Sequence, residues 1–273
     1  MTTTRNTLSI LLLRLAIQEV LVLSRTRALV REPGRLFPKC ISLHPMRHTI
    51  DVERARSQHK AFCDILSELG LDVIHLPRDD RFADSCFVED TAVIAGQKAL
   101  ICRLAKTSRQ GEEEAVEVML RQYLSTSRVV APGTVEGGDV IHHQETLICG
   151  ITQRTNRLGI QQMEKHLEVP VVTIENSQII HLKSHVTYLS RDTFVAIKSM
   201  AQHPVLKGFA ILIVPDEEGY AANTLTIGDT VLIPKGYPQT KSLINKAGFT
   251  VVTLDMSEFT KCEGALTCLS LLF

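Results

Sequence analysis

The chain ends in Gly264-Ala265-Leu266-Thr267-Cys268-Leu269-Ser270-Leu271-Leu272-Phe273, a stretch that opens a strand with a thiol near its start. Four earlier strand openings carry chemically active side chains at a regular spacing. The repeated positions are Glu89, Glu136, His181, Asn223 and Cys268, at intervals of 47, 45, 42 and 45 residues. A fixed period indicates a repeat architecture. If five units close into a ring, these positions meet near its axis and share one pocket.

Each unit predicts the order strand, strand, helix, strand. Apolar strands are joined by turns such as Gly96-Gln97 and Gly228-Asp229, which are typical of hairpins. Four units follow one another over 87–131, 134–174, 180–214 and 221–254, and the third has the weakest helix. The first strands are predicted to include 87–94, 134–141 and 180–183.

The fifth unit is split between the two ends of the chain. Its first strand is 266–271, and its predicted partner is Val20-Leu21-Val22-Leu23. An apolar stripe that stops before Gly70 predicts the helix; it consists of Val52, Ala55, His59, Phe62, Leu66 and Leu69. Pairing the two ends would remove exposed strand edges. We therefore predict an α/β fold, a five-bladed α/β propeller, in one domain over 20–273 after an apolar extension at 1–19.

The composition favours a small-molecule partner. Thirty Lys plus Arg balance thirty Asp plus Glu in 273 residues, which argues against a nucleic acid as the main partner. Seven cysteines are scattered without a CxxC pair or the spacing of a metal site. We therefore predict reduced thiols, a cytoplasmic location and no bound metal.

The amino end is strongly apolar. Arg14, Gln18 and Glu19 interrupt the apolar run at 7–23, whereas a membrane span needs about 20 predominantly apolar residues. We therefore predict no membrane span, and no small-residue cleavage site supports a signal peptide. Residues 5–18 are predicted to form an apolar-faced helix or an appended leader.

Three residues in register could form a catalytic group. Cys268 alone would be a small core residue, and His181 alone would be a structural histidine. The motif Glu136-Gly137-Gly138-Asp139 could be an ordinary turn, although paired glycines also permit a close backbone approach. The repeat favours a joint role, because a reactive thiol needs a base or a nearby positive charge.

Several charged residues could bind a substrate that carries a guanidinium and a carboxylate. Asp84, Glu89 and Asp90 lie in or beside an apolar strand, and buried acids need partners. A guanidinium would supply several N–H donors, while a solvated edge is the alternative. Arg109 and Arg154 follow second strands at matched positions and could clamp a carboxylate, unless they are ordinary surface charges.

These residues resemble the dimethylarginine dimethylaminohydrolase family of the guanidino-group-modifying propellers, also called penteins. The resemblance covers about 20–273. It rests on Phe87-Val88-Glu89-Asp90-Thr91, Ala131-Pro132-Gly133-Thr134-Val135-Glu136-Gly137-Gly138-Asp139, Arg154-Thr155-Asn156, His181-Leu182-Lys183, Tyr220-Ala221-Ala222-Asn223, Gly236-Tyr237-Pro238 and Thr267-Cys268-Leu269-Ser270-Leu271.

The resemblance implies a hydrolase that converts asymmetric dimethylarginine and monomethylarginine to citrulline and dimethylamine or methylamine. It implies that Cys268 is the nucleophile of a covalent thiouronium intermediate. His181 would be the general acid and base, and Glu136 the third catalytic residue. No metal or other cofactor is implied.

The resemblance also implies the substrate contacts. Asp90, with Glu89, would hold the guanidinium group. Asp84 and the backbone carbonyl of Cys262 would receive the α-amino group, and Arg109 and Arg154 would hold the α-carboxylate. The family carries a loop over the pocket at 31–45, where this chain aligns poorly. His185 and Cys262 also stand where less reactive side chains are expected.

Other functions fit parts of the pattern. Arginine deiminase has a similar fold and similar catalytic residues but usually carries an added helical region, and an amidinotransferase is disfavoured for a similar reason. A non-catalytic propeller, like the ribosome anti-association factor, would not need the thiol, imidazole and acids together. Both a monomer and a homodimer stay open.

Overall fold

Five small mixed sheets contain all the strands of residues 25–273, the part of the chain that the computed structural model describes. In chain order the strands are β1 (Arg27–Arg31), β2 (Asp72–Leu76), β3 (Ala92–Ala95), β4 (Lys98–Ile101), β5 (Ser125–Arg128), β6 (Val140–His143), β7 (Thr146–Ile151), β8 (Val171–Glu175), β9 (Val186–Ser190), β10 (Thr193–Ala196), β11 (Ala210–Ile213), β12 (Leu225–Ile227), β13 (Thr230–Pro234), β14 (Thr250–Leu254) and β15 (Ser270–Leu272).

Every sheet has the same plan of three strands. The sheet orders are β15-β1-β2, β3-β4-β5, β6-β7-β8, β9-β10-β11 and β12-β13-β14. Within each sheet the first strand is antiparallel to the central strand, and the central strand is parallel to the third. A parallel pair needs a crossover connection, which is why a helix lies between the second and third strands. The predicted order of strand, strand, helix, strand is confirmed.

The α-helices differ in length, and the first five of them are the crossover helices. The α-helices are α1 (Val52–Glu68), α2 (Glu114–Leu120), α3 (Arg157–Leu167), α4 (Lys198–Ala201), α5 (Pro238–Lys246) and α6 (Ser257–Thr260). Helix α1 begins where the Asp51 carboxylate accepts hydrogen bonds from two backbone amides. It buries the four central residues of the predicted stripe, whereas Val52 and Leu69 at its ends are half-buried. Helix α4 is a single turn, as the weak helical pattern of the third unit predicts. No helix of residues 25–273 is long and apolar enough to cross a membrane.

The two ends of the described chain pair with each other. Strand β15 is antiparallel to β1, with Leu271 opposite Leu29. Pairing of the ends is confirmed, but the predicted partner Val20-Leu21-Val22-Leu23 is wrong. The partner is β1, whose residues Ala28 to Val30 are fully buried because this central strand is covered on both faces. The predicted helix at 5–18 and the extension at 1–19 lie outside the described residues.

A short 3-10 helix precedes the first strand of every sheet. These five 3-10 turns are Thr267–Leu269, Val88–Thr91, Gly137–Asp139, Leu182–Ser184 and Asp216–Ala222. The predicted strands therefore begin too early: 87–94 contains a turn and β3 starts only at Ala92. In that turn the Thr91 hydroxyl donates to the Val88 carbonyl at 2.7 Å, a local bond that competes with extended structure.

Hydrogen bonds, four of them buried and one partly buried, connect the five 3-10 turns and their flanking residues in a closed series. Each bond joins a side chain at one turn to the backbone or a side chain at the next. The links are Asp90 with Gly138 N, Asp139 with Leu182 N, Asn223 with Lys183 O, Asn223 with Thr267 N, and Thr267 Oγ1 with Glu89. Their lengths run from 2.7 to 3.1 Å. The side chains of the turns are thus held in register by one another.

Two of the seven cysteines are joined. Cys40, between β1 and α1, forms a disulfide with Cys262, in the loop before β15. Their Cα atoms are 6.0 Å apart across a sequence separation of 222 residues. The prediction that all seven thiols are reduced is therefore wrong for this pair, because a pairing over such a separation has no local sequence signal. The other five cysteines are free.

Removal of the Asn223 side chain should weaken the closed series at one link. We expect Asn223→Ala to lower the free energy of unfolding by about 2–4 kcal/mol, because partners at two turns lose buried hydrogen bonds. Urea unfolding followed by circular dichroism measures this. The control is the exposed Asn245→Ala, which should change stability by about 0.5 kcal/mol or less. Equal values for both variants would contradict the structural role of Asn223.

The disulfide predicts a thiol count. Protein unfolded in denaturant without reductant should react as five free thiols, and as seven after reduction. Cys40→Ser should give six without reductant, since Cys262 loses its partner. Seven reactive thiols in the unreduced wild type would show that the two cysteines are not bonded. Titration with a chromogenic disulfide reagent distinguishes these results.

Candidate active site

One cavity of about 480 Å³ collects most of the predicted site residues. Seven of the nine line it, namely Asp84, Asp90, Arg109, Arg154, His181, Cys262 and Cys268. Glu136 and Glu89 lie behind the wall and reach it through their contacts with other residues. The five 3-10 turns and their flanking residues supply most of this set, so the cavity opens where the turns meet.

His181 is oriented by a buried carboxylate. Its Nε2 lies 2.7 Å from Glu136 Oε2 and 3.6 Å from Asp90 Oδ1. Glu136 is fully buried, and its other oxygen accepts a hydrogen bond from the backbone amide of Ala105 at 2.9 Å. An acid held in this way fixes both the direction of the imidazole ring and the nitrogen that carries the proton.

The surroundings of His181 favour its protonated form. Burial alone would lower the pKa of this imidazole, but the negative charge of Asp90 and the hydrogen bond that His181 donates to Glu136 outweigh burial. Together they raise the pKa of His181 to about 9. The ring is therefore an imidazolium at neutral pH and can donate a proton to a leaving group.

Cys268 is a half-buried thiol in the cavity wall. Burial raises its pKa well above that of an ordinary cysteine, and the nearby Glu89 and Asp90 add to this effect. Lys183 acts in the opposite direction but more weakly. The thiol is therefore neutral at pH 7 in these surroundings, and a positive charge in the cavity would favour the thiolate.

Glu89 is fully engaged by two residues that the sequence analysis did not assign. One carboxylate oxygen lies 2.6 Å from Lys183 Nζ, and the other accepts from Thr267 Oγ1 at 2.7 Å. Thr267 directly precedes Cys268, and Lys183 follows His181 by two positions. That closeness to the predicted catalytic residues was the available signal. Glu89 therefore lies behind Thr267 and Lys183 and not in the cavity wall.

Asp90 and Arg109, predicted to hold opposite ends of the substrate, contact each other. Arg109 Nη1 donates to Asp90 Oδ2 at 2.8 Å and lies 3.8 Å from Glu136 Oε2. Arg109 is buried, so this ion pair is shielded from water. A cationic substrate that approaches Asp90 would compete with Arg109 for the same carboxylate.

Arg154 lines the cavity and has unpaired hydrogen-bond donors. It is only 6% exposed, and no described residue accepts a hydrogen bond from its Nε or Nη1. Buried N–H groups without an acceptor are unfavourable, and a carboxylate would satisfy them. Of the two predicted carboxylate ligands, Arg154 therefore has the more available guanidinium in this structure.

The segment at 31–45 forms one side of the cavity. Ile41 and His44 line it, and the backbone amide of Ile41 donates to Asp84 at 3.2 Å. Burial raises the pKa of Asp84, which lies below this segment. The amide of Leu43 donates to Glu263 at 2.7 Å, beside the disulfide. The segment is thus attached to the loop before β15.

His185 also lines the cavity. Burial lowers its pKa, so the ring is neutral at pH 7 and contrasts with the cationic His181.

The cluster of Asp90, Glu136 and His181 has the spacing of a cation site. One ligand atom of each lies within 4.8 Å of the others. Arg109 already places a guanidinium against Asp90, and protonated His181 places a second positive charge between the two acids. These cations neutralise the cluster, so we assign no metal to it.

Comparisons with known proteins agree on one family. A family profile described as N,N dimethylarginine dimethylhydrolase, eukaryotic, matches residues 43–234. The N(G),N(G)-dimethylarginine dimethylaminohydrolase of Pseudomonas aeruginosa is 36% identical over 82% of this chain and 90% of its own length. The protein of the same name from Streptomyces coelicolor is 35% identical over 89% and 95%.

A solved structure extends the likeness to the fold. The Pseudomonas aeruginosa enzyme, as a cysteine-to-serine mutant complexed with citrulline, aligns with a TM-score of 0.88 at 33% identity. The alignment covers 91% of this chain and 99% of that one. The α/β fold with five small sheets and the match to these relatives together define an enzyme of the hydrolase class that acts on guanidino C–N bonds. The chain belongs to the dimethylarginine dimethylaminohydrolase family.

The pKa of His181 should depend on Glu136. Glu136→Gln removes the negative charge that strengthens the hydrogen bond donated by His181, so the pKa of His181 should fall from about 9. An NMR titration of the imidazoles measures this shift. His59, whose pKa burial lowers to about 4, should be unchanged and serves as the internal control.

The same shift links stability to pH. Since the folded-state pKa of His181 lies above its ordinary value of 6.5, its contribution to stability is fully present below about pH 6.5 and is lost towards pH 9. This loss should be smaller in Glu136→Gln. An unchanged titration of His181 in that variant would show that Glu136 does not control the proton.

Proposed function

We propose that the protein hydrolyses N-methylated arginines to citrulline and an amine. One cavity brings together the Cys268 thiol, the cationic His181 imidazole held by Glu136, and the acid Asp90. Citrulline is bound to a mutant of a relative with the same fold. This combination supports attack on a guanidinium carbon, for which the chain supplies nucleophile, acid and counter-charge.

In the first half of the reaction, Cys268 supplies the nucleophile and His181 supplies a proton. The substrate's positive charge favours loss of the Cys268 proton to solvent. The thiolate then attacks the guanidinium carbon and forms a tetrahedral adduct. His181 donates its proton to the methylated nitrogen, and the C–N bond breaks to release methylamine or dimethylamine. A cationic thiouronium is left on Cys268.

The second half returns the enzyme to its starting state. His181, now neutral, removes a proton from water, and the hydroxide attacks the thiouronium carbon. Collapse of this adduct breaks the C–S bond, and the hydroxyl proton of the adduct passes to the departing sulfur, so that citrulline and the neutral Cys268 thiol are formed. His181 again carries its proton, and the proton that Cys268 lost to solvent in the first half is taken up by the released amine, so atoms and charges balance. Glu136 keeps the ring in place during both proton transfers.

The charges of the cavity fit the rest of an amino-acid substrate. We assign Asp90 to the guanidinium group, with Glu89 as support behind the thiol. Arg154, with its unpaired donors, is assigned to the α-carboxylate together with Arg109. The remaining assignments are Asp84 and the Cys262 carbonyl for the α-amino group, both beside the segment at 31–45.

The overall arrangement completes this proposal. The closed series of hydrogen bonds between the five 3-10 turns supports a five-bladed propeller in which the sheets are the blades. We assign one catalytic domain to 20–273 and an appended segment to 1–19. A cytoplasmic location and a homodimer stay predictions from the sequence, and the disulfide makes the location worth testing by fractionation.

The proposal predicts citrulline formation that depends on Cys268. Wild-type protein should release citrulline from monomethylarginine and dimethylarginine faster than from arginine. Cys268→Ser should lower kcat by about 10³-fold or more, since a serine hydroxyl is a far weaker nucleophile without a strong base. The matched control is Cys63→Ser on α1, a buried free cysteine outside the cavity, which should retain activity.

Three results would change the proposal. Arginine turned over fastest would indicate a deiminase. Equal citrulline formation by wild type and Cys268→Ser would remove Cys268 as the nucleophile. Absence of citrulline from all three substrates would favour a non-catalytic binding protein of the same fold.

A further inference from the structure

Glu112 is a buried acid beside the cavity and has no part in the proposed reaction. It follows the 3-10 helix Thr107–Arg109 and precedes α2, and only 1% of its surface is exposed. Its Oε2 accepts hydrogen bonds from Arg109 Nε at 3.0 Å and from Arg109 Nη2 at 2.8 Å. Two charge-assisted bonds to one side of a guanidinium fix the plane and direction of that group.

Arg109 is therefore held between two carboxylates. Glu112 binds Nε and Nη2, and Nη1 is left for Asp90 Oδ2 at 2.8 Å. Nη2 also approaches the Phe87 carbonyl at 3.4 Å. Only one of the three guanidinium nitrogens thus binds the acid that is assigned to the substrate.

The backbone around Glu112 is anchored as well. Its carbonyl accepts from Arg31 Nη1 at 3.2 Å, and its amide donates to the Arg109 carbonyl at 3.1 Å. Arg31 is fully buried, so this anchor does not depend on the mobility of a surface side chain. The Glu112 carboxylate is consequently a fixed point against which Arg109 is oriented.

The division of Arg109 between two acids matters for substrate binding. A guanidinium with both edges free would form a paired, two-bond contact with Asp90, which is stronger than the single bond in the structure. That contact would compete with the substrate's own guanidinium for Asp90. Glu112 occupies the Nε–Nη2 edge of Arg109, and the second Nη2 hydrogen is directed at the Phe87 carbonyl, so that Nη1 alone is left for Asp90.

We propose that Glu112 is a positioning residue that acts through Arg109, limiting the hold of Arg109 on Asp90 so that a guanidinium substrate can bind there. The inference rests on the proposed function, because it assigns Asp90 to the substrate. Glu112 itself contacts neither the Cys268 thiol nor the His181 ring among the described hydrogen bonds.

The test is a double-mutant cycle with Arg109. Glu112→Gln should raise KM for monomethylarginine about tenfold or more and leave kcat within about threefold, because the substrate must displace a stronger internal ion pair. Arg109→Gln will have its own KM. Adding Glu112→Gln to it should change that KM by less than about twofold, since the residue through which Glu112 acts is gone. Glu114→Gln, an exposed change on α2, should resemble wild type.

Each result decides the inference. A Glu112→Gln effect that is the same with and without Arg109 would show a general structural role and overturn it. Glu112→Asp, which keeps the charge, should recover part of the KM increase; no recovery would also contradict it. The same variants of Glu112 and Arg109 can also be made in a Cys268→Ser background. Calorimetry then measures the affinity of each protein for monomethylarginine, so the double-mutant cycle is obtained without turnover.

This second measurement separates the two proposals. If Glu112→Gln weakens binding only when Arg109 is present, but the wild-type protein forms no citrulline, the role of Glu112 is supported and the proposed reaction is wrong. If the wild-type protein forms citrulline, but the effect of Glu112→Gln is the same with and without Arg109, the reaction is supported and the positioning role of Glu112 is wrong. A protein that neither binds nor converts monomethylarginine would remove both.

Discussion

The closed series of hydrogen bonds between the five 3-10 turns is the constraint on which the site depends. Backbone groups that are no longer in a sheet need partners, and in three of the five turns a side chain from the neighbouring turn supplies one. Asp90 and Glu89 belong to both this series and the surroundings of the thiol. The same residues therefore hold the turns together and set the charge around the thiol, so a substitution of either acid changes both.

One of these shared acids, Asp90, acts on both the imidazole and the thiol of the cavity. Asp90 raises the pKa of both His181 and Cys268, which gives an imidazolium beside a neutral thiol. Such a pair is suited to a cationic substrate, since the substrate brings the charge that the thiolate needs. Asp90 already binds one guanidinium, that of Arg109. Because Arg109 also binds Glu112, it donates only one hydrogen bond to Asp90, and a second guanidinium can still bind there.

Much of the fold could be predicted from the sequence because its signals are local and repeated. The apolar stripe of α1 and the hairpin turns each depend on a few neighbouring residues. The starts of the first strands could not be predicted, because the turns are stabilised by partners about 45 residues away, as with Asp139 and Leu182. The Cys40–Cys262 pair, 222 residues apart, is the extreme case.

The site, like the fold, could be predicted only in part from the sequence. Register alone brought Cys268, His181 and Glu136 together, because equivalent positions of a repeat have equivalent places in the fold. Which acid pairs with which cation was not predictable, since Arg109 could reach Asp90, Glu136 or a substrate. Glu112 had only the weak signal of an acid three positions after an arginine. Ion pairing of this kind depends on side-chain directions that residue spacing does not specify.

The disulfide also divides the chain into a closed covalent loop and two ends. The loop from Cys40 to Cys262 contains β2 to β14, whereas β1 and β15 lie outside it. Cys268 belongs to the outer part and is held in place by hydrogen bonds and packing alone. Fraying of the last strand breaks no covalent link, so Cys268 can leave the cavity while the other four sheets keep all their strands. Local opening around the Cys268 thiol and global unfolding are thus separable events.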